Sequence, residues 1–289
     1  MPSRILFITH RVPYPPDRGD RIRTWNILRF LAARAEVDLA CFADEPVSEE
    51  TRNLLSSTVR RLAIIPHIGK MRYVRGLWSL LTGSSITEGM FRSPELGRQL
   101  REWKDTAYDA TLVSSSGIAD YTARPFVTGD PLRWVDLIDV DSRKWADYAT
   151  SRPWPMSWVY AMESQRLRRT EQRLASECER LLVVSEAECD VFRSFCKTPR
   201  VHAVCNGVDT DYFESRFDGG GGTCTAEPAG GTVSQTSHNC PALPATGPVC
   251  VFVGVMNYLP NVDAVCWFAD NVWTQIQTEF PDARFCIVG

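Results

Sequence analysis

Ile5–Thr9 reads ILFIT, His10–Asp20 reads HRVPYPPDRGD, and beyond it Ile22, Trp25, Leu28 and Leu31 recur with Ile27 and Phe30 at helical spacing. A short β-branched run, a loop and an amphipathic helix open a β-α-β unit. The pattern then repeats. Apolar runs at Val37–Phe42, Leu62–Ile65, Ala110–Ser114, Trp134–Ile138, Leu181–Ser185 and Val201–Cys205 alternate with helical stretches such as Leu96–Trp103, Trp158–Cys178 and Glu186–Cys196. Strands that are apolar on both faces need helices on both, so residues 1–205 are expected to form a doubly wound, Rossmann-like parallel α/β domain.

After Cys205 the composition changes. Asn206–Asp209, NGVD, suits a hinge, and Phe217–Pro248 is a Gly/Pro/Ser/Thr tract that reads as a linker or insertion, so 206–248 is expected to separate two domains. Cys224, His238 and Cys240 within it lack the number and spacing of a metal site. Val249–Val253, a helix from about Asn261 with Val262, Val265, Phe268, Val272 and Ile276 as its stripe, and Arg284–Val288 make one further β-α-β unit. Two strands apolar on both faces want more neighbours than this segment supplies. Residues 249–289 are therefore expected to be the start of a second Rossmann-like domain, cut short.

Composition narrows the class. With 289 residues, 44% hydrophobic and 23% charged, the chain is too apolar for disorder. No apolar run approaches the roughly 18 residues of a membrane span. Met1–Arg11 lacks the zones of a secretory signal, so a cytoplasmic protein is expected. The ten cysteines include no C-x-x-C pair and read as reduced small hydrophobes. The net charge of −3 divides unevenly: residues 1–205 hold 30 Lys+Arg against 26 Asp+Glu, the remainder 2 against 9. That mild basic excess argues against nucleic acid and leaves a phosphorylated ligand or an anionic membrane surface. Trp145, Tyr148, Trp154, Trp158 and Tyr160, ahead of Arg166, Arg168, Arg169 and Arg173, are the segment where peripheral membrane contact is weighed against core packing.

Three strand-end loops carry candidate chemistry. In the first, Gly19 at a helix start permits backbone approach to an anion, Asp20 is placed to cap the helix over Ile22 and Arg23, and Arg11, Arg18, Arg21 and Arg23 supply charge. Neither G-x-G-x-x-G nor G-x-x-x-x-G-K occurs, so this is no dinucleotide or P-loop fingerprint. In the second, Asp136–Lys144 reads DLIDVDSRK; carboxylates gathered at a strand tip hold a metal, a cation or sugar hydroxyls, and Asp139 is the member expected to share a crevice with Gly19. Capping of the next helix by Asp141 or Ser142 is the structural alternative. In the third, Ser114–Gly117 is a hydroxyl-rich turn that touches a ligand or caps a helix; with no G-x-S-x-G it is not a nucleophile elbow. His10 stands out only by its address at the first strand end.

Together the loop HRVPYPPDRGDRIR, the VVSEAE strand end at Val183–Glu188, NGVD at Asn206–Asp209 and FVGVMNYLPNVDAV at Phe252–Val265 resemble the family 4 (group 1) retaining glycosyltransferases, and among them the bacterial sugar transferases of exopolysaccharide and exosortase loci. The resemblance implies a GT-B architecture, an acceptor-side first domain and a donor-binding second one. It implies a nucleotide-sugar donor, a polysaccharide or lipid-linked acceptor, and no obligatory metal or cofactor. It assigns the donor diphosphate to Gly19, Asp20, Gly254 and Asn257, the catalytic strand-tip position, often a His in the family, to Asp139, and acceptor or sugar contacts to Ser115, Asp141 and Lys144. No basic residue lies between Val255 and Asn261, where relatives place an Arg and a Lys. Two other readings stand beside it: an Asp139/Asp141-dependent phosphoryl-transfer enzyme, and a non-catalytic sugar-binding α/β module.

Overall fold

β1 (Arg4–Thr9) takes an interior place in the sheet because both its faces are apolar: Leu6 and Ile8 point into one buried layer and Phe7 into the other. The computed structural model describes residues 3–207, 210, 247–256 and 259–289. The chain divides into two compact units, Met1–Asp218 and Gly219–Gly289.

In the first unit β1, β2 (Glu36–Ala43), β3 (Arg61–Pro66), β4 (Ala110–Ser114), β5 (Leu132–Ile138), β6 (Arg180–Val183) and β7 (Val201–Ala203) form one parallel sheet in the order 3-2-1-4-5-6-7. The doubly wound, Rossmann-like fold expected from the strand pattern is thus the one observed. Phe7 sits beside Leu39 and Leu112 in register, and with Leu28 and Leu55 forms one apolar layer. Leu6, Ile8, Phe42, Val113, Leu174 and Phe192 lie in the other. Full burial of each such side chain contributes about 1.5–3 kcal/mol. The helices are α1 (Gly19–Ala32), α2 (Glu49–Thr58), α3 (Met71–Thr82), α4 (Ile86–Phe91), α5 (Pro94–Glu102), α6 (Asp141–Ser151), α7 (Met156–Glu177) and α8 (Glu186–Phe195), with a 3-10 turn at Ser116–Thr122.

Two expected strands end early. The run Leu181–Ser185 leaves the sheet after Val183 because the Ser185 hydroxyl accepts the Glu188 N–H, capping α8, and Val201–Cys205 ends at Ala203. Beneath the strand ends Arg23 of α1 clamps Asp136 of β5 in two buried contacts of 2.7 and 2.9 Å, and its other nitrogen donates to the Val204 carbonyl and Asn206 Oδ1.

In the second unit β8 (Val249–Val253) pairs in parallel with β9 (Arg284–Val288). Between them run helical segments Leu259–Phe268 and Thr274–Glu279 joined by a π turn at Ala269–Trp273. Phe268 and Trp273 pack on Phe285, while Val251, Val253 and Val288 stand more than half exposed.

Candidate functional site

The strand order reverses between β1 and β4, and in open parallel sheets that switch point opens a crevice at the carboxyl ends of the strands. His10 stands at the end of β1 and the serine run at the end of β4. The Ser114 hydroxyl accepts the His10 backbone N–H at 3.3 Å and lies 3.1 Å from Nδ1, while Nε2 faces Asp20 Oδ2 at 3.3 Å. A carboxylate only accepts, so Nε2 donates to Asp20, while Nδ1 lies within 3.2 Å of both the hydroxyl and the carbonyl oxygen of Ser114. Asp20 also takes Arg11 at 3.1 Å, and Arg11 continues to Asp44 at the end of β2. Buried Arg21 faces Asp17, Asp44 and Glu45. Burial works to raise the Asp20 carboxyl, but His10 and Arg11 outweigh it and hold it well below the usual carboxylate range.

A second cluster lies at the end of β5. Ile138 has φ +68, an unusual conformation for a β-branched residue, beside a register shift between Asp136 and Ile138. That distortion ends the strand and sets Asp139 among other carboxylates. Burial raises its pKa, Glu188 and Asp141 raise it further, and Lys144 and Arg23 oppose them. Asp141 holds Lys144 at 3.2 Å and accepts a long contact from Ser116 Oγ at 3.4 Å. Behind it Glu171, accepting from both the backbone and hydroxyl of Ser142, is pushed up to about 7 by burial. The serine run therefore touches both clusters, Ser114 at His10 and Ser116 at Asp141. Ser115 between them has φ +96, donates its N–H to the Asp136 carbonyl and accepts the Gly117 N–H on its hydroxyl.

The expected site residues divide as follows. Gly19, Asp20, Ser115, Asp139, Asp141 and Lys144 all lie at the carboxyl edge of one sheet. Gly19 is the exposed first residue of α1, with open space where a Cβ would stand. Asp20 does not cap that helix: Arg18 occupies the cap without a side-chain bond, and the Asp20 carboxylate turns to His10 and Arg11 instead. Asp141 and Ser142 are likewise not caps, since α6 begins at Asp141 after Val140. In the second unit the Gly254 N–H donates to the Val288 carbonyl, and the Asn261 amide closes on the Val255 carbonyl, so these groups are engaged within the loop. Asn257, Asp209 and the tract residues Cys224, His238 and Cys240 lie outside the described residues. Among the described residues no three His, Cys, Asp or Glu side chains are arranged to hold a metal, and no helix is long and apolar enough to cross a membrane.

The aromatic segment weighed for membrane contact is largely used internally. Trp145, Tyr148 and Tyr160 pack against one another edge-on and tilted between α6 and α7, Arg168 lies over Phe195, and Arg173 pairs with Asp120 and Glu177. Trp154 and Trp158 remain exposed. Sequence reasoning gave His10 little weight; its signal was its place at the end of β1, and its partner Ser114 is 104 residues away.

No protein-family model matches the chain, and no curated protein matches it in sequence. Similar solved structures include a UDP-glucosyltransferase from Polygonum tinctorium capable of glucosylating indoxyl, in complex with 3,4-dichloroaniline, at 12% identity and TM-score 0.41, covering 71% of this chain and 53% of that one. Phytolacca americana UGT2 with UDP-2-fluoro-glucose and pterostilbene matches at 13% identity and TM-score 0.38, covering 77% and 61%. LpCGTa in complex with UDP matches at 10% identity and TM-score 0.40, covering 100% and 71%. The chain thus spans about half of the length of the first of these structures. At such scores the likeness says nothing of this chain's chemistry.

Proposed function

We propose that the chain serves nucleotide-sugar-dependent glycosyl transfer of GT-B type, with retention, to a polysaccharide or lipid-linked acceptor, residues 1–205 facing the acceptor and 249–289 belonging to the donor side. The observation that carries the reading is the pairing of two unlike clusters along one carboxyl edge, joined by the Ser114–Ser116 turn. Sugar transfer must expel a diphosphate, steady positive charge on the anomeric carbon and orient an acceptor hydroxyl. Asp139 would accept sugar hydroxyl hydrogen bonds and offer negative charge to that carbon. Ser115, Asp141 and Lys144 would orient acceptor or sugar hydroxyls. Gly19 would leave the α1 N-terminus open to the donor diphosphate. Asp20, ionised and held by His10 and Arg11, is better suited to positioning those two side chains than to meeting a phosphate itself.

The test is transfer from UDP- and GDP-hexoses to a polyprenyl-diphosphate-linked saccharide, with the anomeric configuration of the product read by NMR. Transfer with the donor's configuration kept, and a loss of about 10²-fold in kcat for Asp139→Asn, is expected. Inverted product contradicts retention. Absence of transfer with every donor contradicts the reading.

A further inference from the structure

Helix α6 has no cap of its own: Val140 stands at its cap position without a side-chain bond. Carboxylates from two other helices take N–H groups at its start instead. Glu188 of α8 accepts the Val140 N–H at 2.7 Å, and Glu171 of α7 accepts the Ser142 N–H at 3.0 Å on one oxygen and the Ser142 hydroxyl on the other. Ser164, two turns before Glu171 on α7, donates to the Ser142 carbonyl at 2.7 Å. Ser142 is thus held at its N–H, its hydroxyl and its carbonyl by one face of α7, and the turn that leads into it carries Asp139 and Asp141. The donors at a helix start are usually satisfied by a neighbouring Ser, Thr, Asp or Asn. Here a fully buried residue 29 positions along the chain does so.

The same helix offers its own comparison. Buried Glu163 accepts the Ile86 N–H at 2.6 Å, the Thr87 N–H at 2.9 Å and the Thr87 hydroxyl at 2.8 Å at the start of α4. That helix already has Ser85 as its cap, so Glu163 adds to a finished terminus, whereas Glu171 supplies what α6 lacks. Burial pushes the Glu171 carboxyl up to about 7 and Asp141 of α6 adds to the rise, against the two Ser142 bonds and Arg168 of α7. Glu188 of α8 and Lys144 of α6 border the same turn. A helix start favours a fixed negative charge, so a group serving stability alone would be better kept ionised. Glu171 instead changes charge near neutral pH, directly behind the residues assigned to the ligand.

We propose that Glu171 is a positioning residue for the β5 cluster, acting through Ser142 to fix the turn that carries Asp139 and Asp141 and imposing its own charge on both. The inference rests on the reading of that cluster as the reacting site, and its first readout needs no substrate. Carboxyl-carbon NMR of the full chain follows Asp139 and Asp141 from about pH 5 to 9. Each resonance is expected to show an added inflection near pH 7 that disappears in Glu171→Gln and survives in Glu163→Gln. The glutamine keeps the support, because its carbonyl accepts the Ser142 N–H and its amide donates to the Ser142 hydroxyl. Glu171→Ala removes it: in transfer assays kcat is expected to fall about tenfold or more with KM changed less than about twofold, while Glu171→Gln retains activity. Curves without the inflection, an inflection that survives Glu171→Gln, or full kcat in Glu171→Ala overturns the proposal. Absence of transfer in the wild type overturns the sugar-transfer reading instead, and the titration then decides this inference by itself.

Discussion

The ends of β1 and β5 belong to the same sheet edge and carry similar numbers of charged groups, yet their electrostatics are opposite. At β1 each carboxylate has a cation: Asp20 faces His10 and Arg11, and Asp44 faces Arg11 and Arg21. At β5 Asp139 meets Glu188 and Asp141, with Lys144 and Arg23 only partly offsetting them. The first arrangement lowers a carboxyl pKa and favours its fixed charge; the second raises one and keeps it costly to ionise. Groups whose surroundings push their pKa values apart are suited to different tasks. The β1 cluster fixes a loop, and the β5 cluster holds a carboxyl that a positively charged or hydroxyl-bearing ligand would relieve.

The largest effect on this contrast is expected from the pair beneath both clusters. Arg23→Met leaves Asp136 buried without its cation, and a loss of about 3–5 kcal/mol in urea unfolding is expected; a loss below about 1 kcal/mol would mean the pair is not holding the strand ends. Asp20→Asn comes next, at about 1 kcal/mol at neutral pH, kept modest because Arg11 is partly solvated. The folded pKa of Asp20 is depressed, so its stabilisation is complete above the unfolded value of about 3.9 and fades as pH falls toward the folded value. Unfolding curves of variant and wild type should converge in acid.

Asp139→Asn should behave with the opposite sign. Its folded pKa is raised, so wild-type stability declines as pH climbs from about 3.9 through the folded value. The variant is expected to equal or exceed wild type at neutral pH by up to about 1 kcal/mol. A variant destabilised like Asp20→Asn would erase the contrast. The smallest effect belongs to the turn between the clusters. Ser115→Gly relieves a positive φ while losing the bond to Gly117, for a net change within about 0.5 kcal/mol, whereas Ser115→Ala, which keeps the strain, costs about 1 kcal/mol.

The sheet was legible because its strands are short, β-branched and apolar on both faces, which leaves little choice but a covered parallel arrangement. Asp139 was legible as a carboxylate at a strand tip. The positive φ of Ile138 that places it was not, because nothing local marks a β-branched residue for that conformation. The bonding of His10 was also hidden: Asp20 lies beyond a proline-rich loop, and strand order alone brings Ser114 to it. Helix α3 escaped for a different reason. Met71, Val74, Leu77, Trp78 and Leu81 share an exposed face of it, while Gly76 and Ser79 make the inward contacts. Apolar spacing tells which residues share a face and leaves open whether protein or solvent covers it.

Carboxyl-carbon NMR titration of Asp20 and Asp139 in the folded protein tests the central contrast most directly. Asp20 is expected to remain ionised well below the ordinary aspartate range and Asp139 to retain its proton above it. Two ordinary values, or the reverse order, would contradict the division of this edge into a locked cluster and a poised one.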